Sequence, residues 1–575
     1  MAHKSDTSYH LEMIEHKIHS LPQDLRFPES ASVVFLHFPY GRTDDDGAKS
    51  HTEYKYIASA FEALDEKSTV CILTTPADAA RFLPYIQSIL NCKLWVAIKL
   101  DTCETITSDN RLQGQHAALL ALTRYPESLH HTITRIAYTY CPICKKTTKD
   151  YGGKKHTYNS YGTMMSDVWR DIAWNPSKEA TIIIDRLCDL FAITPYKNLQ
   201  YYDLRNCYTL QPQTAKAQLT HQQIESYLEK YIRLTSKLVN DDCLNALATI
   251  PDNSIDFGFA DPPYNLKKKY DSWDDGLEVQ KYFEWCDRWL TEMGRILKPN
   301  RTLAVINIPL WAVRHYQHLC TVLNFQSWIA WDSLSLPVRM IMPSHYAIIC
   351  FSKGEPRAPF IPEQNELPMM ESCCVRSSCL NMRRKNHIND RTYVSDLWYD
   401  IHRLKHNSRR VDHPCQLPPM LMRRLYSIFT KPDEVIIDCF NGAGTSTLVA
   451  HQMKRQYIGI ELSPEYHKTA LKRHDMILQG LDPFGKNTEI PKAKNSRVER
   501  LEKIKYKVPK KTLQLDVRRI ALLVGHIPSK EEVSQYSKYP MRYFEEYFVS
   551  WGEVCAAARN DGMSEVQQKE LQLFI

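Results

Sequence analysis

EVIIDCFNGAGTSTLVAHQMKRQYIGIEL, residues 434–462, is the stretch whose reading decides the fold. The β-branched run Glu434–Asp438 predicts a buried strand. It runs into a turn, Cys439–Thr445, that carries Gly442 and Gly444. Two glycines let the backbone approach a ligand closely, at the positive end of whatever helix follows. Thr445 and Ser446 are expected to cap a helix over Thr447–Arg455, and a second strand, Tyr457–Ile460, ends in Glu461. A carboxylate at the end of the neighbouring strand is placed to hold a ribose diol. With only two glycines, the turn is not a G-x-G-x-x-G dinucleotide fingerprint. Strand, glycine turn, helix and strand together predict an α/β sheet, whereas Glu461 taken alone also reads as a surface acid.

Upstream, the buried-strand pattern IDFGFA (Ile255–Ala260) runs directly into Asp261-Pro262-Pro263-Tyr264. Two consecutive prolines cannot continue a ladder, so the strand ends in a rigid turn at its C-terminal end, where open α/β sheets place ligands. The turn offers a carboxylate, a proline carbonyl and an aromatic face. Together these can accept two hydrogens from an amino group and stack on the ring that carries it. A purely structural turn is the bland alternative.

The chain repeats itself. Thr69, Pro76 and Trp95 fall on Thr302, Pro309 and Trp328 at an offset of 233. At an offset of 229, GQHAALLALTR (Gly114–Arg124) falls on PSHYAIICFSK (Pro343–Lys353), and SDVWRDI (Ser166–Ile172) on SDLWYDI (Ser395–Ile401). RLCDLF (Arg186–Phe191) parallels RLYSIF (Arg424–Phe429), and HFPYG (His37–Gly41) parallels DPPYN (Asp261–Asn265). Two unequal copies follow. The first has His37 in place of Asp261 and ends without a glycine turn. The expected division is an N-terminal extension (1–30), a degenerate copy (31–215), a helical connector (216–235), the complete copy (236–484), a basic linker (485–520) and a helical tail (521–575).

At 575 residues and 67.0 kDa, with 43% apolar and 24% charged residues, the chain is long enough for several domains and too apolar for general disorder. There is no apolar run long enough to span a membrane, and the N-terminus has no secretory pattern. Seventeen cysteines, an odd number in a large chain, argue for reduced thiols and a cytoplasmic setting, nucleoid-associated if the source is bacterial. The net charge of +7 is concentrated. Lys486–Lys511 holds ten basic and three acidic residues, which suits phosphates or simply a solvated linker.

NDDC (Asn240–Cys243), DPPY (Asp261–Tyr264), HPCQLP (His413–Pro418), DCFNGAGT (Asp438–Thr445) and YIGIEL (Tyr457–Leu462) together resemble the amino-group DNA methyltransferases. The order, with DPPY before the glycine motif and a long segment between, is that of the beta class. The resemblance covers about 250 residues of the complete copy. It implies a twisted, mainly parallel Rossmann-like methyltransferase sheet, here duplicated with a degenerate N-terminal copy and followed by a small C-terminal helical module. It also implies S-adenosyl-L-methionine as cofactor and a base flipped out of double-stranded DNA as substrate. Carried over by motif position, Asp261, Pro262, Pro263 and Tyr264 form the catalytic turn. The cofactor-binding set is Asp242, Cys243, Asp438, Phe440, Asn441, Gly442, Gly444, Thr445 and Glu461. Within it, Phe440, Gly442, Gly444 and Thr445 would line the methionine end, Glu461 would hold the ribose, and Asp242 with Cys243 would flank the adenine. Cys439 replaces a usual proline, and Leu417 stands where lysine is common. Asp first in DPPY favours adenine N6, with cytosine N4 as the alternative.

In the beta class the target-recognition segment lies between the two motifs, here about 354–412. Arg376, Arg383, Arg384, Lys385, Arg391, Arg403, Lys405, Arg409 and Arg410 make that stretch basic and DNA-facing. Cys141 and Cys144 have zinc-knuckle spacing, and with Cys374 and Cys379 they could make a four-thiolate site bridging the copies; no strict C-x2-C…C-x2-C exists, and reduced buried thiols with no metal are the expectation. The tail, Gly525–Ala558, resembles the short helical repeats attached to homing endonucleases, which implies an auxiliary DNA-binding module; a helical cap is the alternative. No P-D…D/E-x-K or H-N-H nuclease pattern is present, and a cognate restriction nuclease is not readable. The two copies are expected to dock as an intramolecular pseudo-dimer, with copy one binding no cofactor. The rivals are a nucleic-acid-binding protein that has lost catalysis and a methyltransferase of RNA or protein.

Overall fold

The computed structural model of the chain describes residues 15–17, 27, 33–40, 47–101, 111–125, 134–138, 140–147, 162–191, 199–205, 234–265, 276–333, 341, 343–360, 367–368, 376–388, 391–401, 403, 416–484, 508, 510–548, 551–552 and 554–555. The expected connector helix within 216–233 and most of the basic linker lie outside these residues, as do His413–Cys415, Cys374, Lys405, Arg409 and Arg410.

Two large mixed sheets carry the chain. The first contains β1 (Glu15–Lys17), β2 (Val33–His37), β3 (Thr69–Thr74), β4 (Asn91–Leu100), β5 (His116–Thr123), β6 (Val168–Trp174) and β7 (Leu199–Asp203), in the order β1-β7-β2-β3-β5-β4-β6. The second contains β8 (Lys237–Asn240), β9 (Ile255–Ala260), β10 (Leu297–Asn307), β11 (Asn324–Asp332), β12 (His345–Ser352), β13 (Leu397–Trp398), β14 (Val435–Asp438) and β15 (Gln456–Glu461), in the order β8-β15-β14-β9-β10-β12-β11-β13. The run β7-β2-β3-β5-β4-β6 and the run β14-β9-β10-β12-β11-β13 share strand order. They also share sense, with only β5 and β12 antiparallel to their neighbours.

The strand readings hold with small shifts at the ends. IDFGFA is a fully buried strand whose side chains divide between two cores, with an irregularity in register between Ile255 and Phe257. Phe257 and Phe259 enter the core with Leu425, Tyr426 and Phe429 of the helix Pro419–Phe429. Ile255 and Ala260 enter the core with Trp289 and Leu290 of the helix Val279–Ile296. At Gly258 between them a Cβ would lie 2.9 Å from Leu303 Cδ1 and 3.0 Å from Met293 Cε, so the ends of those side chains would have to shift to admit one.

The second of these cores is continuous with the core under the first sheet. At the join, helix Pro76–Ile86 packs on helix Pro309–Val322, and Trp95 stacks on Trp328 with centroids 5.1 Å apart and planes 6° apart. Both pairs are repeat equivalents at the offset of 233. Other contacts exchange in the same way. The Gln115 N–H donates to Asp396 Oδ1 at 2.7 Å, and the Ser344 N–H donates to Asp167 Oδ1 at 2.8 Å. Lys99 Nζ reaches the Tyr399 hydroxyl at 3.3 Å, while Arg170 pairs with Asp332 at 2.9 Å. Burial raises the Asp167 carboxyl to about 7.

The tail forms its own small core of Leu513, Val517, Ile520, Ala521, Val533, Phe544, Phe548 and Val554. Its first helix, Lys510–Val524, begins inside the segment read as basic linker. The spacing of Leu513, Val517 and Ile520 commits those residues to packing, so the helical module starts about ten residues earlier than its composition suggests. Among the described residues no helix is long and apolar enough to cross a membrane.

Candidate active site

The residues singled out in the sequence converge on one edge of the second sheet, at the C-terminal ends of four adjacent parallel strands. β8 leads to Asp242, β15 ends in Glu461, β14 leads into the glycine turn and β9 leads into Asp261. Register fixes this: Asn240 pairs with Glu461, Asp438 with Gly459, and Phe259 with Asp438.

At the end of β9, Asp261 is half-buried and its Oδ1 accepts the Tyr264 hydroxyl at 2.8 Å. The turn is braced from outside. The Tyr282 hydroxyl donates to the Pro263 carbonyl at 2.7 Å, Trp311 Nε1 donates to the Tyr264 carbonyl at 2.8 Å, and Asn265 Nδ2 donates to the Leu277 carbonyl at 2.8 Å. The buried Tyr264 ring lies tilted against Tyr346, centroids 6.1 Å apart. Hydrogen bonds to both tyrosine and proline carbonyls replace those a strand would have supplied, so the carboxylate stands on a fixed platform.

In the glycine turn, Gly442 and Gly444 have φ of +52° and +86°, the left-handed region that side chains disfavour. A Cβ on Gly444 would also lie 3.0 Å from that of Ala470. The helix after the turn is Thr445–Gln452, two residues earlier than expected, and its N-cap is Gly444. Neither Thr445 nor Ser446 caps it. The Ser446 hydroxyl instead donates to Asp438 Oδ2, while the Phe440 N–H donates to Oδ1 at 2.9 Å. Asp438 thus clips the turn to the strand end. Burial pushes its carboxyl up to about 7, partly offset by the Ser446 and Phe440 hydrogen bonds. Asn441 ties the turn to the next strand through its N–H to the Ile460 carbonyl at 2.9 Å, and its side-chain oxygen accepts Thr447 Oγ1 at 2.9 Å.

Glu461 holds two loops at once. Its Oε2 accepts the Gly442 N–H at 2.7 Å and its Oε1 the Ser463 N–H at 2.8 Å. Each oxygen keeps lone-pair capacity for one more donor, such as a sugar hydroxyl. Burial raises its carboxyl above the ordinary value. Asp242 is the N-cap of the short helix Cys243–Ala248 and accepts the Leu244 N–H at 2.9 Å. Cys243 is buried, its thiol pushed up to about 12 by burial, so it serves as a small apolar wall.

The sequence reading missed the aromatic backing of this site. Phe440 packs on Trp285 and Trp289, centroids 5.6 and 5.1 Å away. The signal was present as the helical stripe Tyr282, Cys286, Trp289 and Met293. Arg383, counted among the DNA-facing basic residues, is buried, with Nη1 3.8 Å from Cys379 Sγ, whereas Arg384 and Lys385 are exposed.

The same edge of the first sheet is closed. His37, at the end of β2, is buried, with Nδ1 2.8 Å from the Tyr201 hydroxyl and its ring 5.3 Å from Trp174. Burial lowers it to about 3, so it is neutral. Where β14 turns into glycines, β7 ends at Asp203, whose carboxylate is taken by Arg205 at 2.6 Å.

A glycine turn between two strand-end carboxylates, one strand away from a braced Asp-Pro-Pro-Tyr, lies at the C-terminal end of a Rossmann-like sheet, where open α/β sheets place ligands. Residues 255–472 match the DNA methylase family N6_N4_Mtase, and the chain belongs to that family. It is 33% identical over 246 residues to the type II methyltransferase M.BamHI of Bacillus amyloliquefaciens, covering 42% of this chain and 57% of that protein. It is 30% identical over 257 residues to the type II methyltransferase M.HpaI of Haemophilus parainfluenzae, covering 43% of this chain and 77% of that protein. The cytosine-N4-specific PvuII DNA methyltransferase aligns over 44% of this chain and 97% of its own at 20% identity, with a TM-score of 0.31.

Proposed function

We propose that this protein transfers a methyl group from S-adenosyl-L-methionine to the exocyclic amino group of a base in double-stranded DNA, and that the base is adenine, methylated at N6. The observation that carries the reading is the adjacency of β9 and β14. It sets the Asp261 turn one strand, about 5 Å, from the glycine turn. Asp438, Phe440, Asn441, Gly442, Gly444, Thr445 and Glu461 fit the cofactor, together with Asp242 and the Cys243 wall. The bound cofactor supplies an electrophilic methyl group. The protein supplies position and charge. Asp261 and the Pro262 carbonyl accept the two amino hydrogens and draw the nitrogen lone pair out of the ring. The Tyr264 hydroxyl holds the Asp261 carboxylate in place, and the Tyr264 and Tyr346 rings wall the flipped base. No covalent enzyme intermediate is needed.

The test is transfer of labelled methyl to defined duplexes, followed by nucleoside analysis. N6-methyladenine is the expected product, and N4-methylcytosine would replace the adenine assignment while keeping the reaction. Asp261→Ala is expected to lose on the order of 100-fold or more in rate with cofactor affinity kept. Turnover like that of the unmodified protein would overturn the assignment of the site.

We also propose that residues 31–215 are a non-catalytic copy of the unit and serve as an intramolecular partner, replacing the second subunit of a dimer in gripping DNA. Matching sheet topology, the exchanging contacts at the Trp95–Trp328 join and the closed His37 edge support this. Contacts that repeat under exchange are what a twofold interface produces. One S-adenosyl-L-methionine per chain is the expected stoichiometry by calorimetry; two would refute it.

A further inference from the structure

We propose that Cys141, Cys144 and Cys379 ligate one zinc ion that staples the two halves of the chain together beside the recognition segment. The three sulfurs lie within 4.8 Å of one another, and the Sγ atoms of Cys141 and Cys379 are 3.9 Å apart. That separation is far beyond a disulfide bond, which needs about 2.05 Å. It matches the edge of a tetrahedron of thiolates around zinc, roughly 3.8 Å for Zn–S bonds of about 2.3 Å.

The surroundings fit a metal better than a core. Cys141 and Cys144 sit on a hairpin of two-residue strands, Tyr140–Cys141 and Lys146–Thr147. Lys145, next after Cys144, has φ +53° in the turn, and the sulfurs of Cys141 and Cys144 lie within 4.8 Å of each other. Cys379 lies in the first turn of the nine-residue helix Ser377–Lys385, where the helix dipole favours a thiolate. Among the described residues, the local cluster holds only Ile143, Cys144 and Met382 besides the buried Cys141 and Cys379. So few apolar groups are a poor reason for such short strands to hold together. The buried guanidinium of Arg383 lies against the Cys379 sulfur, a contact favourable to an anionic thiolate centre. Arg376 Nη2 adds a long hydrogen bond to the Thr147 carbonyl at 3.5 Å between the same two segments. The described residues supply three of the four positions of a tetrahedral site; Cys374, the fourth thiol of the sequence reading, lies outside them.

Binding releases the thiol protons to solvent and leaves zinc in its divalent state, so no redox partner is involved. The site would fix the helix that presents Arg384 and Lys385, and so set the geometry of the recognition segment by metal rather than by core packing. Metal content is read without a transfer assay, so failure here and failure of the proposed reaction are distinguishable. The full chain, produced with zinc in the medium and purified under reducing conditions without chelator, is analysed for metal by mass spectrometry. One zinc per chain is expected, unchanged in Cys320→Ser, an exposed cysteine elsewhere. Cys141→Ser and Cys379→Ser are expected to lose most of it. Cobalt substituted into the unmodified chain provides a measurement that does not depend on the folding of any variant. Thiolate-to-cobalt charge-transfer absorption is expected. Its absence would overturn the proposal, as would less than about one-tenth of a zinc per chain or zinc retained in Cys379→Ser.

Discussion

Glu461→Gln separates the cofactor site from the chemistry. In the folded chain both carboxylate oxygens are committed, one to the Gly442 N–H at 2.7 Å and the other to the Ser463 N–H at 2.8 Å. A glutamine keeps one acceptor and presents an NH2 group to the second N–H, so one charge-assisted bond is lost and two donors face each other. Such a loss costs about 1.5–3 kcal/mol. It falls on the turn proposed to cradle the cofactor, and the ribose bond proposed for Glu461 would weaken as the charge goes. The dissociation constant for S-adenosyl-L-methionine is therefore expected to rise roughly 10- to 150-fold. At saturating cofactor the transfer rate is expected to stay within a few-fold, because Glu461 touches no reacting atom. Isothermal titration calorimetry reads the first quantity and single-turnover methyl transfer the second. The ionised carboxylate is the better acceptor and burial raises its pKa. Affinity is thus expected to fall as pH drops through that raised value, a dependence the glutamine variant should lack. Unchanged affinity would refute the reasoning, as would a lost rate with unchanged affinity.

Gly442→Val puts a branched side chain at φ +52° in the turn, and calorimetry is expected to find no measurable cofactor binding while circular dichroism stays native. Asp438→Asn can keep both of its hydrogen bonds, with the amide donating to Ser446. Burial holds the Asp438 carboxyl near 7 against an ordinary 3.8, so the folded state carries a proton that the unfolded state has lost. Its contribution to stability is present at low pH and is lost as pH rises between about 4 and 7. Thermal melts of the asparagine variant over that window are expected to be flatter. Removal of residues 486–575 is expected to reduce the slope of log affinity for DNA against log salt, by about 0.9 for each phosphate that the shortened chain no longer neutralises; filter binding at several salt concentrations measures it.

The glycine turn and the DPPY turn were legible in the sequence because both rest on local backbone chemistry. Glycines are needed at positive φ, and a proline pair ends a strand wherever it occurs. The pattern from which a repeat was read also lies in the sequence, where Trp95 and Trp328 match at an offset of 233 and Asp167 and Asp396 at 229 without any knowledge of contacts. What those spacings could not say is that equivalent residues touch one another. Trp95 stacking on Trp328, and Asp167 and Asp396 each capping the other half's backbone, are decisions of the tertiary fold. So are the fates of single side chains. Ser446 reads as a helix cap and clips Asp438 instead; Arg383 reads as a surface cation and lies buried against Cys379. The physical reason is range. Strand, turn and helix signals act over a few bonds along the chain, whereas the partner of a polar side chain is set by whichever group packing brings within about 3 Å. Cys141 and Cys144 announce themselves as a pair by spacing, but only the folded chain brings Cys379, more than two hundred residues away, to meet them.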